Sequence, residues 1–137
     1  MIIGIGTDIV YIPHFQKALD KMGEAGIQRL FTQGEQALAK SRPAQTLQTY
    51  AKRFAAKEAV AKAFGTGIGT VAWTEIEVVH NDKGAPQIQL YGKAAEFLRK
   101  YKGKLHLSLS DDGEYAQAFV IFESNAPENE LPHPANP

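Results

Sequence analysis

The chain predicts an α+β fold, a largely antiparallel sheet packed on one long central helix. Three observations lead there. Segments of helical and of strand period are grouped rather than strictly alternating, in the order strand, helices, hairpin, helix, hairpin. The longest helical segment, from about Leu47 to Phe64, is filled from Phe54 onward mostly with Ala, Val and Phe, which are core residues. The strand-period segments of the second half are joined by short turns, as antiparallel neighbours require.

The elements follow in order. Ile2 to Ile5 reads as a short strand with Ile3 and Ile5 on one face, and Asp8 follows at its end. From Pro13 to about Met22 the apolar residues Phe15, Ala18, Leu19 and Met22 recur at helical spacing, and a second short helix covers Glu24 to Leu30. Thr32 and Glu35 have the spacing of a capping box, which opens a third short helix to Lys40 before Pro43 breaks it. Gly65 sits where a left-handed cap ends the main helix, and the three glycines between 65 and 69 make a turn. After Trp73 the period changes to two: Ile76 and Val78 alternate with Glu75 and Glu77, Asn81-Asp82-Lys83-Gly84 turns the chain, and Ile88 and Leu90 alternate on the return. Lys93 to Tyr101 is a helix with Ala94, Phe97, Leu98 and Tyr101 inward. Leu105, Leu107 and Leu109 form one face of the next strand, Asp111-Asp112-Gly113 turns it, and the almost wholly apolar run Tyr115 to Phe122 is expected to be the most buried strand.

Composition bounds the function. The 137 residues suit one domain, expected over residues 1–123, with the proline-containing stretch 124–137 as a flexible tail. Fifteen cationic and fifteen acidic side chains balance, so no global field draws the chain to nucleic acid. There is no cysteine, which excludes disulfide scaffolds, zinc–thiolate sites, iron–sulfur clusters and thiol nucleophiles, and is compatible with a reducing cytoplasm, the expected location. The apolar N-terminus is short and lacks leading basic residues, so it does not read as a signal peptide, and no apolar run is long enough to span a bilayer.

Chemistry concentrates in two places. Glu58 and Lys62, four residues apart, share a helix face. That spacing is also the commonest helix-stabilising ion pair, but the surroundings are unusually apolar for a solvated pair. Asp8 follows an apolar strand and needs a cation, a donor or water if buried; it is either a cap for the next element or a metal ligand. Mg²⁺ takes one or two carboxylates and completes its shell with water and phosphate oxygens, a role open to Asp8 and Glu58, with Lys62 meeting a phosphate as a point charge. The Gly65-Thr66-Gly67 turn either ends the helix or exposes N–H groups to a phosphate; it lacks the Gly-Lys-Ser/Thr ending of a P-loop. His106 alternates with leucines and reads as a half-exposed strand histidine, and His14, His80 and His133 have no metal-ligand spacing.

Taken together, Gly4-Ile5-Gly6-Thr7-Asp8-Ile9-Val10 and the run Arg53 to Gly67 (RFAAKEAVAKAFGTG) closely resemble the holo-[acyl-carrier-protein] synthases, the small 4′-phosphopantetheinyl transferases. The Asn81–Pro86 hairpin and the segment His106 to Ala118 resemble them too, and the resemblance covers about residues 1–123. It implies the family's transferase fold and a Mg²⁺-dependent reaction. Coenzyme A donates its phosphopantetheine arm to a serine of apo acyl carrier protein, releasing adenosine 3′,5′-bisphosphate in support of fatty acid biosynthesis. It also implies a homotrimer with active sites at subunit interfaces. Asp8 and Glu58 are then the metal ligands, Lys62 stabilises developing charge, and Arg53, Gly65, Thr66 and Gly67 are candidates for the nucleotide and its 3′-phosphate. Glu58, directly or through water, is the candidate base.

Two departures stand out. Many members end the fourth strand with Ser-His-Thr, the histidine near coenzyme A, where this chain has Ser110-Asp111-Asp112. Many also carry several arginines on the first helix to dock the carrier protein, whereas Lys17, Lys21 and Arg29 are the cations here between Pro13 and Leu30. Two other readings use the same residues: a Mg²⁺-dependent hydrolase of nucleotide pyrophosphates with water as nucleophile, and a non-catalytic coenzyme A-binding module in which Asp8, Glu58 and Lys62 close a salt-bridge network.

Overall fold

The computed structural model describes residues 1–132. Three antiparallel strands, β1 (Ile2–Tyr11), β4 (Gly103–Asp112) and β5 (Tyr115–Ser124), form a sheet in the order β1-β5-β4. The separate hairpin of β2 (Ile76–His80) and β3 (Pro86–Leu90) is antiparallel as well. Between β1 and β2 run α1 (Ile12–Leu30), α2 (Gln33–Ser41) and α3 (Thr46–Phe64); α4 (Gly92–Lys100) joins the hairpin to β4. The expected α+β arrangement on a long helix is the one observed.

The sheet rests on α3 through unusually small residues. Gly4 and Gly6 of β1 face α3, where a Cβ would overlap the carbonyls of Ala63 and Ala59. On the helix side Ala55, Ala56, Ala59 and Ala63 are buried, opposite Ala116, Ala118 and Val120 of β5. Strand and helix backbones therefore approach closely, and this brings Asp8, two residues beyond Gly6 on the same face, within reach of the C-terminal turns of α3. Phe64, Phe97, Tyr101 and Phe122 pack edge and face at one end of the core.

Local signals placed most boundaries. Thr32 and Glu35 form the capping box at the start of α2, and Gly65, at φ 71°, ends α3. The 12–30 helix breaks at Gly23 (φ 64°, ψ −158°), where the sequence separates two short helices. Asn81 Oδ1 accepts from the N–H groups of Lys83 and Ala85 to make the hairpin turn.

Other expectations need correction. β1 does not stop at Ile5; it continues through Asp8 to Tyr11, because β5 pairs with it along this length, Asp8 opposite Ala118. Asp8 is thus a strand residue and not a cap. An irregularity between Ile2 and Gly4 takes Ile3 and Ile5 off a common face, and Ile5 is exposed. β5 is not buried throughout: Ala116, Ala118, Val120 and Phe122 lie against α3, while Tyr115 and Phe119 point outward. Ala18 and Met22 share a face with Phe15 but are exposed. Asp111 and Asp112 belong to β4, and the chain turns after them at Gly113, at φ 58°. Ser124 is the buried last residue of β5, accepting the Met1 ammonium at its carbonyl. The rest of the expected tail contains a 3₁₀ turn at Glu128–Glu130, and residues 133–137, His133 among them, lie outside the described residues. No helix among the described residues is long and apolar enough to cross a membrane.

Candidate active site

Phe54, Glu58 and Lys62 recur every four residues and form a row along α3. Across from its far end stands Asp8, held in place by the β1–β5 ladder. The Lys62 ammonium donates to Asp8 Oδ1 at 3.2 Å and to the Thr7 carbonyl at 2.9 Å. Of this pair the Asp8 side chain is 18% exposed and that of Lys62 55%, so the lysine end remains open to solvent.

Glu58 shares the neighbourhood. Burial raises its pKa above the ordinary carboxylate range, the charge of Asp8 raises it further, and Lys62 opposes both. Two carboxylates and one ammonium leave one negative charge in excess in a partly dry place, which favours a bound cation. No cluster of three or more histidine, cysteine or acidic side chains suited to a metal occurs among the described residues. Asp8 and Glu58 offer two hard oxygen donors, a set that would suit Mg²⁺ carrying water and phosphate oxygens rather than an all-protein cage.

These three residues line one end of a cleft of about 780 Å³. The rest of it is mostly apolar and aromatic, with Arg29 and His14 as the polar exceptions. Phe15 of α1 packs on Phe54 at 5.4 Å, and Phe54 packs on Trp73 at 5.3 Å. Tyr11 and His14, in edge contact at 4.8 Å, stand on the same wall, as does Arg29. A charged end and an apolar aromatic length suit a long ligand with a phosphate at one end.

The remaining candidates are placed differently. Gly65 follows Lys62 by less than one turn, and its N–H is engaged in the helix cap by the carbonyls of Ala61 and Lys62. Thr66 is exposed in the following 3₁₀ turn at Gly65–Ile68. Arg53 is not brought together with Asp8, Glu58 and Lys62. It is 1% exposed on another face of α3, where Nη2 lies 3.5 Å from His80 Nε2 and Nε has no partner. Burial lowers the Arg53 pKa, with Glu35 opposing. Burial, then the neighbouring Arg53, Arg42 and Lys52, also hold His80 below its ordinary value. His106 pairs with Glu123 at 2.8 Å on the outer face of the sheet, and Asp111 pairs with Lys52 at 3.3 Å.

Sequence reasoning missed Tyr11, His14 and Trp73 as cleft residues. Trp73 alone carried a signal: a large aromatic next to a glycine-rich turn. It also missed a second ion pair. Glu35 and Lys57, both with fully buried side chains, meet at 2.7 Å outside the cleft lining.

Comparison with known proteins identifies the family. Residues 4–120 match the 4′-phosphopantetheinyl transferase superfamily. The chain is 45% identical over 130 residues to a holo-[acyl-carrier-protein] synthase of Methylobacterium sp. (strain 4-46), covering 90% of this chain and 96% of that protein. Among solved structures it resembles the holo-[acyl-carrier-protein] synthase of Neisseria meningitidis, with a TM-score of 0.83, 36% identity, and coverage of 90% of this chain and all of the other. The Bacillus anthracis synthase, solved in complex with CoA (3′,5′-ADP), matches with a TM-score of 0.74 at 38% identity over 91% of this chain and 99% of that one.

Proposed function

The chain belongs to the 4′-phosphopantetheinyl transferase superfamily and is a transferase of the holo-[acyl-carrier-protein] synthase kind, and we propose that it works through Asp8, Glu58 and Lys62 around one Mg²⁺. The group transferred is the phosphopantetheine of coenzyme A, and the acceptor is a serine of acyl carrier protein. The observation that carries the site assignment is the meeting of two distant segments: Lys62 of α3 bonded to Asp8 of β1, with Glu58 one turn away and sensing the Asp8 charge.

The chemistry follows from these residues. The serine oxygen forms a bond to the phosphorus next to pantetheine, and the bond from that phosphorus to the bridging pyrophosphate oxygen breaks. Adenosine 3′,5′-bisphosphate leaves with the electron pair. Asp8 and Glu58 would hold Mg²⁺, which would supply neutralisation of charge on the diphosphate. Lys62 stabilises the charge that grows on the departing oxygen. Its ammonium, 55% exposed, is open to a phosphate oxygen on its solvent side. The serine proton passes to Glu58 directly or through one water. Because the nucleophile comes from the partner, the chain needs no activated serine or cysteine of its own.

The Gly65-Thr66-Gly67 turn is assigned to the nucleotide end and its 3′-phosphate; Arg53, 1% exposed, is too buried to reach them, and Arg42 and Lys52 place positive charge beside it. Lys17 and Lys21, both exposed on α1, and Arg29 at the cleft are assigned to docking the acidic carrier. A homotrimer is supported by the outer face of the sheet, where Ile5 (59% exposed), Ile9 (61%) and Phe119 (42%) lack cover. We place the enzyme in the cytoplasm, in fatty acid biosynthesis.

The test is mass spectrometry of apo carrier protein incubated with coenzyme A, Mg²⁺ and this protein. A gain of the phosphopantetheine mass that requires Mg²⁺ is expected. Release of the bisphosphate without a carrier would instead indicate a pyrophosphate hydrolase, and full transfer by Asp8→Ala would leave the metal site without a role.

A further inference from the structure

Lys57 stands next to Glu58 in sequence yet does not line the cleft, its side chain fully buried. Its ammonium has three donors and finds three acceptors: Glu35 Oε1 at 2.7 Å, the Trp73 carbonyl at 3.0 Å, and the Ile76 carbonyl. Glu35 is equally engaged, accepting from the N–H of Thr32 at 3.0 Å and of Val78 at 2.9 Å. One saturated polar centre therefore ties α2, the Trp73 turn and the start of β2 to α3.

A buried ion pair is a weak source of net stability, since an apolar pair of the same volume often serves as well. What it adds is direction, because each N–H fixes a carbonyl at one point. The segment held here is the one that carries Trp73 back to the cleft. The neighbouring Ala72 N–H is held from the other side by Glu75 Oε2 at 2.7 Å, and Glu75 in turn caps the N–H groups of Lys93 and Ala94 at the start of α4. Residues 69–72, between the glycine turn and this clamp, form no helix or strand. The position of the indole is therefore decided at the clamp and at its stacking on Phe54.

We infer that Lys57 is a positioning residue for the reaction: by holding the Trp73 carbonyl it fixes the indole on Phe54 and sets the width of the cleft that receives the donor substrate. It does so without touching substrate. The inference rests on reading the cleft as the coenzyme A site.

The double variant Glu35→Gln/Lys57→Met tests it, because both charges go together and none is left buried alone. Trp73 is the chain's only tryptophan, so its emission reports its setting without a label. Cooperative unfolding should persist while acrylamide quenching of Trp73 rises at least about twofold. KM for coenzyme A should rise about tenfold, with kcat changed less than about threefold, as loss of donor binding common to ground and transition states predicts. A folded double variant with unchanged quenching and unchanged KM overturns the inference, as does a loss confined to kcat. Should the variant not fold, native-state hydrogen exchange on the unaltered chain decides. The Glu75 and Val78 amides should open only with the whole molecule, and local opening of residues 72–78 overturns the inference. If the unaltered chain transfers nothing from coenzyme A, the functional reading falls first; a transferring chain whose folded double variant is silent in both readouts defeats this inference alone.

Discussion

Lys57 and Lys62 lie on the same helix, and each meets a carboxylate from another element, yet they are opposite cases. Lys57 is sealed, with Glu35 and two carbonyls using all three of its donors. Lys62 is more than half exposed, and Asp8 and the Thr7 carbonyl hold it at the mouth of a cleft. A charge that cannot leave its partner serves architecture, whereas one that can exchange partners is free to serve chemistry. Burial separates the two roles, and residue type does not.

The sharpest way to break this contrast is to remove the carboxylates at the open end. Asp8→Ala and Glu58→Ala should each lower transfer at least about 10³-fold, consistent with losing a catalytic metal's ligand, while thermal unfolding stays close to that of the unaltered chain. Carrier modification followed by mass spectrometry and a melting curve check both halves. Activity retained in either variant would move the metal site elsewhere. The sealed end should fail in the other currency. Lys57→Ala leaves Glu35 buried without its partner and should cost about 3–5 kcal/mol of stability, read by urea denaturation. A loss below about 1 kcal/mol would show that Glu35 finds other support.

Lys62→Ala should lower kcat by about 10²-fold with a smaller change in KM for coenzyme A, as expected for an interaction that strengthens in the transition state. Steady-state kinetics separate the two constants, and a pure KM effect would reduce Lys62 to a binding residue. The pH behaviour of Glu58 gives a smaller, signed effect. Its folded pKa is raised, first by burial and then by Asp8. The folded protein therefore holds this proton more tightly than the unfolded chain, and stability falls as pH climbs from the ordinary glutamate value through the folded one. In the metal-free protein Glu58→Gln should raise the melting temperature above that window and flatten its pH dependence there. A Tm profile indifferent to this substitution would count against the buried, like-charged setting. The smallest effect is expected farthest from the ion pairs: Lys17→Glu/Lys21→Glu should raise KM for the carrier protein several-fold at low salt and less at high salt. An unchanged constant would rule out docking through this face of α1.

Much of this was legible in the residue pattern because it is local. The Thr32–Glu35 box, the Gly65 stop, the Asn81–Gly84 turn and the Glu58–Lys62 spacing each depend on a few consecutive residues, and all stand where the pattern places them. Glu35 shows the limit of such reading. Its capping role is encoded three residues away at Thr32, but its ion pair with Lys57 joins elements separated by a loop, and no spacing announces it. The faces of α3 were equally opaque, because Ala51, Ala55, Ala59 and Ala63 are buried on one side and Tyr50, Arg53, Lys57, Val60 and Phe64 on another, so burial marks no single side as the cleft.

The sequence alone determined the element types, their order and most of their ends, since these depend on backbone propensity and short-range spacing. Tertiary structure decided that β1 runs on to Tyr11, that Asp8 faces Lys62 and that Lys57 is sealed while Lys62 stays open. Those outcomes turn on which surfaces the sheet covers when glycines of β1 let it settle against the alanines of α3, and burial of that kind is a property of packed neighbours rather than of any stretch of chain.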